Sequence, residues 1–240
     1  MKIIAHRGDS ANHPENTPEG WAAAFSNGAF AIEADVRLSS DGACVCAHDR
    51  DLMRLFDRPE RPEDLTADEL LGLASTSGAR IVALADVLQH AAADRHVLLD
   101  IKDETLPALE AIWTAIAATV PQAHRHQVIA GCHTLEAVRF FVEKGQTGIL
   151  GFIPGQERAE AFFETGAKIV RLWERDVSAE RVKQLQQCGA EVWVTAGGTG
   201  TPFGGGETSP EHLEHLLQAG ADGVLVDDVA MARSVVEAAR

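Results

Sequence analysis

Short apolar segments alternate with amphipathic segments along nearly the whole chain, and this alternation restricts the fold more than any other feature. Eight apolar runs have the length of β-strands, and residues with the 3.6-residue apolar period of a helix follow them. The predicted strands are 2–6, 31–38, 96–101, 127–131, 147–152, 168–173, 191–196 and 223–226. The predicted helices are 17–27, 84–94, 107–119, 134–145, 156–165, 178–188, 209–219 and 228–239. Such a repeat is typical of parallel strands joined by helices.

Residues that begin or end helices support these boundaries. Glycines end or follow four predicted helices, at Gly145, Gly166, Gly189 and Gly220, and cap residues begin three, at Thr17, Ser178 and Ser209. Eight strand–helix units in 240 residues match the (β/α)₈ (TIM) barrel, whose usual length is about 250 residues. We therefore predict an α/β fold with one TIM-barrel domain over residues 1–240. An open doubly wound sheet is the alternative, but His6-Arg7-Gly8-Asp9 is not the glycine-rich turn it requires.

The segment 50–83 is the one long interruption of the alternation. It is too short for a second domain of ordinary size. We expect a small insertion here, with an extra hairpin or a short helix at Thr66–Leu73 that covers one rim of the barrel.

The balance of charge limits the partners of the protein. The chain has 36 acidic and 21 basic residues, a net charge of −15, which disfavours nucleic acid and anionic membrane surfaces. A phosphorylated substrate would need local positive charge at its site.

No apolar stretch approaches the roughly 20 residues of a membrane span. The first strand begins at Lys2, which leaves no room for a signal peptide, so we expect a cytoplasmic protein without integral membrane contact.

Acids, bases and cations cluster where the early strands end. His6-Arg7 follows the first strand, Glu33 and Asp35 lie in the second, His48-Asp49 follows Ala43–Ala47, and Asp100 and Lys102 follow Val97–Leu99. Strand residues that only packed a core would be apolar at these positions. An ionised carboxylate inside a protein is costly unless it is paired or bound to a metal. The cluster therefore predicts a functional site.

Spacing brings the carboxylates of this cluster together. Residues two apart on a strand face the same side, so Glu33 and Asp35 project together, as do Asp100 and Lys102. In a TIM barrel the carboxyl ends of the strands form the active face. Carboxylates without a nearby thiolate favour a hard cation such as Mg²⁺ or Ca²⁺. An alternative stays open at this point: the carboxylates could pair with Arg7, Arg37 and Lys102 in a purely structural network.

Cys44, Cys46 and His48 alternate on one strand and could form a zinc site instead. Zinc ligands are usually spaced by two to four residues in a turn, and same-face strand positions converge poorly on one ion. We expect both cysteines to be packing residues, and none of the four cysteines to form a disulfide. His133 differs from most other histidines because it follows the fourth predicted strand on the active rim.

The order and spacing of the clustered residues resemble the glycerophosphodiester phosphodiesterase family. The matching segments are His6-Arg7-Gly8, Pro14-Glu15-Asn16-Thr17, Glu33-Ala34-Asp35-Val36, Asp41-Gly42, His48-Asp49, Leu52, Arg54, Asp100-Ile101-Lys102 and Gly220–Asp228. Between 105 and 190 the chain agrees with the family only in its strand–helix rhythm. The resemblance implies a TIM-barrel hydrolase that splits a small-molecule glycerophosphodiester into an alcohol and sn-glycerol 3-phosphate.

The resemblance also implies roles for single residues. Glu33, Asp35 and Asp100 are the implied ligands of one divalent cation, Mg²⁺ or Ca²⁺. The implied catalytic acid/base pair is His6 and His48, since a phosphodiester needs one group to activate the attacking oxygen and another to protonate the leaving alcohol. The implied substrate-binding residues are Arg7, Lys102 and Glu15.

Two departures from the family pattern keep the specificity open. The third metal ligand is usually Glu in this family, and Asp100 is one methylene shorter. The Asp-x-Lys pattern also resembles relatives with sphingomyelinase D activity. Phospholipase D-like cleavage of lysolipids or sphingolipids is therefore one alternative, and a metal-binding TIM barrel of other activity is another.

The second departure follows the seventh predicted strand. The family usually has Trp-Thr-Val-Asn where this chain has Val194-Thr195-Ala196-Gly197, followed by a glycine-rich segment that reaches Gly206. The segment lacks the Gly-Lys-Ser/Thr end of a P-loop. We expect residues 197–206 to form a mobile rim loop that shapes the alcohol side of the pocket.

Overall fold

The computed structural model describes residues 1–92, 94–153 and 159–239. The strands are β1 (Lys2–Ala5), β2 (Ala31–Leu38), β3 (Cys44–Cys46), β4 (Val82–Ala83), β5 (His96–Ile101), β6 (Val128–Cys132), β7 (Gly148–Phe152), β8 (Ile169–Trp173), β9 (Glu191–Thr195) and β10 (Gly223–Val226). The helices are α1 (Pro18–Ser26), α2 (Met53–Phe56), α3 (Ala67–Leu71), α4 (Leu84–Leu88), α5 (Leu106–Thr119), α6 (Leu135–Lys144), α7 (Ala159–Thr165), α8 (Ala179–Gln187), α9 (Pro210–Gln218) and α10 (Val229–Ala238).

Eight parallel strands close into a barrel, which confirms the predicted fold. The strands pair in the order β1, β2, β5, β6, β7, β8, β9 and β10, and β10 pairs with β1 to close the ring. All eight predicted strands lie within one residue of the observed bounds. Helices cover the outside of the ring, as in solved TIM barrels.

One predicted helix differs from the structure, and another is described only in part. The helix predicted at 84–94 is wrong in length, because α4 ends at Leu88. The backbone tightens there: the N–H groups of His90 and Ala91 bond to carbonyls three residues back, a pattern that ends many helices. Of the helix predicted at 156–165, residues 156–158 lie outside the described residues, and α7 covers the rest.

The insertion near 50–83 is confirmed as a small addition to one rim. β3 pairs antiparallel with the end of β2, and β4 pairs with β3. The expected short helix is α3, which Thr66 begins by accepting the Glu69 N–H while the Glu69 carboxylate accepts from Thr66. The insertion has a small core of its own that includes Val45, Leu52 and Leu70.

Strand alternation separates two apolar cores and places the polar residues above one of them. Inside the ring, Leu98, Leu150 and Trp193 are fully buried. On β2, Ile32, Ala34 and Val36 pack outward against the helices. Glu33 and Asp35 alternate with these residues, so they face the interior of the barrel near its carboxyl end.

The expected absence of a disulfide agrees with the structure: Cys44, Cys46, Cys132 and Cys188 are all free thiols. Within the described ranges, the helices are too short or too polar to span a bilayer. The compartment stays a prediction.

Candidate active site

The turn after β1 brings backbone donors to the carboxylates of β2. Arg7 and Asn16 have φ values of 57° and 54°, in the left-handed region that residues with side chains adopt only rarely. The Arg7 N–H donates to Glu33 Oε2 at 2.7 Å, and the Asn16 N–H donates to the Arg7 carbonyl at 2.9 Å. The Asn16 amide donates to Asp35 Oδ2 at 2.9 Å. This turn therefore fixes both inward carboxylates of β2.

Three carboxylates converge at the mouth of the barrel, as the sequence predicts. Glu33, Asp35 and Asp100 each offer an oxygen within 4.8 Å of the others, and the described residues hold no other group of three potential metal ligands this close. The side chain of Asp35 is 1% exposed, and its Oδ1 is paired with the Lys102 ammonium. Three converging carboxylate oxygens fit a hard divalent cation.

Burial and neighbouring charges separate the pKa values of this trio. Burial raises the pKa of Glu33 well above its ordinary value, and the charges of Asp35 and Asp100 add to the effect. Burial acts in the same direction on Asp35, but Lys102 and Arg7 outweigh it and hold the pKa of Asp35 well below its usual range. For Asp100, Lys102 and a hydrogen bond from His133 outweigh burial and lower the pKa to about 2. Glu33 is therefore the carboxylate that positive charge stabilises least.

Two cations border the trio. Lys102 Nζ lies 2.9 Å from Asp35 Oδ1 and 2.6 Å from Asp100 Oδ2, and Arg7 Nε lies 3.3 Å from Asp35 Oδ2. The structural network considered as an alternative is thus formed by Arg7 and Lys102, but not by Arg37, whose guanidinium donates to the His48 carbonyl. Both bordering side chains remain partly open to the mouth.

The two predicted catalytic histidines are each held by a carboxylate. His6 Nδ1 lies 2.7 Å from Asp227 Oδ1, and His48 Nδ1 lies 2.8 Å from Asp49 Oδ1. A carboxylate accepts, so Nδ1 carries the hydrogen and Nε2 is left free to exchange a proton. Burial lowers the pKa of His48, against the opposing charge of Asp35. Asp227 is a residue that the site prediction missed.

Glu15 contacts cations rather than open space. Its carboxylate accepts from Arg7 Nη1 at 3.3 Å and from both terminal nitrogens of Arg54, at 2.7 and 2.9 Å. Arg54 Nε continues the chain to Asp49 Oδ2 at 2.6 Å. Glu15 and Arg54 thus form a chain of ion pairs that links Arg7 to Asp49, the carboxylate beside His48. Because a carboxylate repels an anionic substrate, Glu15 acts on the substrate through Arg7.

The zinc alternative is wrong for the residues the structure describes. Burial raises the pKa of Cys44 to about 11 and that of Cys46 well above its ordinary value, which disfavours the thiolate that zinc requires. Neither thiol belongs to a group of three candidate ligands. His133 does reach the site, with Nε2 2.7 Å from Asp100 Oδ1 and its ring stacked on Phe152 at 4.8 Å.

The glycine-rich loop 197–206 lies on the rim, as expected. The Gly197 N–H donates to Glu174 Oε2 at 2.6 Å, and Gly206 exchanges backbone hydrogen bonds with Ala196 and Asp227. A Cβ at Gly206 would overlap both His6 Nδ1 and Asp227 Oδ1. Glycine is therefore required where the loop closes over the His6–Asp227 pair.

Two aromatic rings and an arginine face the trio from the opposite side of the mouth. The guanidinium carbon of Arg171 lies 4.8 Å from the Phe152 ring centroid and 4.3 Å from that of Trp173. Gly198 and Gly205 pack against the other parts of the Trp173 ring. The site prediction did not include these three side chains. Arg171 could have been suspected, because it is a charged residue at an inward position of a predicted strand.

A cavity of about 650 Å³ opens beside the trio. Its lining includes three cations, Arg37, Arg50 and Lys102, and three acids, Glu63, Asp103 and Glu104. The cations and acids of this lining balance, so the cavity adds no net positive charge to a protein of net charge −15.

Comparison with known proteins agrees with this geometry. The chain matches the model of the glycerophosphoryl diester phosphodiesterase family over residues 6–231. It is 30% identical over 142 residues to human glycerophosphodiester phosphodiesterase 1, covering 54% of this chain and 42% of the human protein. It is 43% identical over 68 residues to a Caldanaerobacter subterraneus glycerophosphodiester phosphodiesterase, 28% of each chain. The alignments thus span less than half the length of these curated relatives.

Solved structures share the whole fold. A putative glycerophosphodiester phosphodiesterase from Galdieria sulphuraria superimposes with a TM-score of 0.85 at 18% identity, covering 98% of this chain and 97% of that one. An Oleispira antarctica phosphodiesterase, solved with the product sn-glycerol-3-phosphate, superimposes with a TM-score of 0.83 at 20% identity, covering 99% and 97%. At these identities the likeness establishes the barrel.

Proposed function

Because the chain belongs to the glycerophosphoryl diester phosphodiesterase family, we propose that it hydrolyses glycerophosphodiesters to an alcohol and sn-glycerol 3-phosphate. The observation that carries the proposal is the convergence of the Glu33, Asp35 and Asp100 carboxylates between two carboxylate-held histidines. We assign the activity to one TIM-barrel domain over residues 1–240. The Oleispira relative, solved with the same product, supports the choice of substrate class.

The acidic trio is our proposed site for one divalent cation, Mg²⁺ or Ca²⁺. The convergence of three carboxylates and the raised pKa of Glu33, which burial causes, both favour added positive charge at this point. When bound, the cation would neutralise charge on the phosphodiester. Asn16 and the Arg7 N–H hold two of the carboxylates in place and leave other oxygens for the cation.

Arg7 and Lys102 bind the phosphodiester in this proposal. Both side chains lie against the trio yet keep about one sixth of their surface open to the mouth, at 17% and 16% exposure. Opposing burial, the Asp35 charge raises the pKa of each, so both stay cationic at neutral pH. Glu15 positions Arg7 by accepting from its guanidinium.

His48 is our proposed general base and His6 the general acid. Burial lowers the pKa of His48, which favours a neutral imidazole whose Nε2 takes the proton of the attacking oxygen. His6 then donates a proton to the leaving alcohol as the P–O bond to that alcohol breaks. Asp227 and Asp49 orient the two rings through Nδ1. Each histidine contributes a factor of about 10²–10⁴ in rate.

Product identification tests the proposal. The protein is incubated with sn-glycero-3-phosphocholine and Mg²⁺, and glycerol 3-phosphate, choline and phosphocholine are assayed separately. We expect glycerol 3-phosphate and choline in equal amounts. Phosphocholine and glycerol would mean cleavage of the other ester bond, and either that result or no product contradicts the proposal. Glu33→Gln, which keeps the volume and removes the charge, is the inactive control.

A further inference from the structure

Arg171 lies inside the barrel, where its neighbours along the strand are apolar. It shares the inner face of β8 with Ile169, which packs in the barrel core, and its Cα pairs with those of Phe152 and Trp193. Only 5% of the residue is exposed. Such a position normally holds an aliphatic side chain, because burying a charge is costly unless the charge is paired.

The charge of Arg171 has no such pair. Neither Nε nor Nη1, both buried, has a hydrogen-bond acceptor, and no carboxylate of the described ranges lies within ion-pair distance of the guanidinium. Burial lowers the pKa of Arg171 to about 10, against the weaker influence of Asp100, Asp176 and Glu33. At neutral pH the group is thus a cation with unused donors.

Two aromatic rings hold the guanidinium without using those donors. The ring of Phe152 lies 4.8 Å and that of Trp173 lies 4.3 Å from the guanidinium carbon. Stacking on aromatic faces stabilises the cation and leaves its N–H groups free at the edge of the plane. His133 stacks on Phe152, and the glycine loop packs on Trp173. The arrangement holds a planar cation in one orientation at the barrel mouth, which suits a carboxylate or a phosphate.

Arg171 differs in this respect from the cations on the other side of the mouth. Arg7 and Lys102 contact the trio, so their charge is already compensated. β8 is four strands from β2 in either direction around the eight-stranded ring, which sets Arg171 across the mouth from Glu33 and Asp35. A second group on a substrate whose phosphodiester lies at the trio would therefore extend toward Arg171.

We propose that Arg171 selects glycerophosphodiesters whose alcohol carries a second anionic group, a carboxylate or a phosphate. The glycerol half offers only hydroxyl groups, so the anion belongs to the alcohol. The inference rests on the proposed function, because it takes the phosphodiester to lie at the trio. It assigns Arg171 to substrate selection and not to the bond-breaking step.

Two diesters that differ by one carboxylate test the proposal. Glycerophosphoserine is glycerophosphoethanolamine with a carboxylate added, so the ratio of their kcat/KM values isolates that group. We expect the serine diester to be preferred by roughly 10–100-fold, the range of a charge-assisted hydrogen bond, mainly through a lower KM. Arg171→Met should bring the ratio close to one, and Arg171→Lys should keep only part of the preference.

Arg139→Met is the matched control, because Arg139 is an exposed cation on α6. It should leave the ratio near the wild-type value. Equal use of the two diesters by the wild type would overturn the proposal. Equal loss on both diesters in Arg171→Met would also overturn it, since Arg171 would then act on both substrates alike.

Binding separates this proposal from the proposed function. Calorimetry on the His48→Ala protein measures the affinity for each diester without turnover. Tighter binding of the serine diester that disappears in the His48→Ala, Arg171→Met double variant supports Arg171, even if no diester is hydrolysed by the wild type. Equal affinities overturn the assignment of Arg171 whether or not the protein is a hydrolase.

Discussion

On the side of the barrel mouth formed by β1, β2 and β5, Arg7 and Lys102 lie in direct contact with carboxylates. On the opposite side, formed by β7 and β8, Arg171 lies between two aromatic rings and contacts no carboxylate of the described residues. The acidic side is organised before any ligand arrives, as a site for bond cleavage must be. The aromatic side holds a cation whose partner has to come from outside. We infer that one side performs the reaction and the other selects the substrate.

The largest effects should come from the acidic side. His6→Ala and His48→Ala should each lower kcat by about 10²–10⁴, because each removes one proton transfer. The double variant should lose much less than the product of the two, since the histidines act together. Steady-state kinetics on glycerophosphocholine measure this. His215→Ala, which changes an exposed histidine on α9, is the control. A His48→Ala protein with near wild-type kcat would remove His48 from the chemistry.

Lys102→Met separates phosphate binding from metal binding on the acidic side. Removing the cation should lower kcat/KM by roughly 10–100-fold, through loss of a charge-assisted contact to phosphate. Affinity for Mg²⁺ should be unchanged or higher, because Lys102 lies 2.9 and 2.6 Å from oxygens of two proposed ligands. Lys144→Met, at a surface ion pair with Glu110, is the matched control. Weaker Mg²⁺ binding in Lys102→Met would mean that Lys102 supports the metal site.

The pH dependence should follow His48. Because burial lowers its pKa from 6.5, the base is already deprotonated in mildly acidic solution. The value of kcat/KM should therefore show an acidic limb whose midpoint lies below pH 6.5. His48→Ala should lose this limb, whereas Arg171→Met should keep it, because Arg171 remains cationic throughout this range. A midpoint above pH 6.5 would contradict the assignment of His48 as the base.

The smallest expected effect is a change in the stability of the protein when Arg171 is replaced. Arg171→Met should stabilise the free protein by about 1 kcal/mol, because it removes an unpaired buried charge at the loss of cation–π contacts. For a chain of this size the melting temperature would rise by roughly 2–4 °C. Thermal unfolding measures the change. A fall of several degrees would show that Arg171 is held for folding and not for a ligand.

The acidic side could be predicted from the sequence because its geometry is local. Glu33 and Asp35, like Asp100 and Lys102, are two residues apart on strands, and that spacing alone places them on one face. The barrel then brings the strand ends to one rim. The strand bounds followed from apolar runs flanked by glycines and cap residues.

Contacts between segments that are far apart in the sequence could not be predicted from it. Asp227 meets His6 across 221 positions, and only closure of β10 against β1 brings them together. The ion pairs from Glu15 through Arg54 to Asp49 depend on how the insertion folds back over the rim. The unpaired state of Arg171 is a property of the packed barrel mouth, since a charged residue in a strand would ordinarily be expected to find a partner.

The most direct test of the account is Mg²⁺ titration of the chelator-treated protein, with binding and glycerol 3-phosphate release measured in the same samples. The account predicts no turnover without the metal, one Mg²⁺ bound per chain, and activity that rises with occupancy. Glu33→Gln and Asp35→Asn should each lower both the affinity for Mg²⁺ and the release of glycerol 3-phosphate, whereas Arg171→Met should leave the affinity for Mg²⁺ unchanged. Full turnover in excess chelator, with no metal found by elemental analysis, would contradict the account.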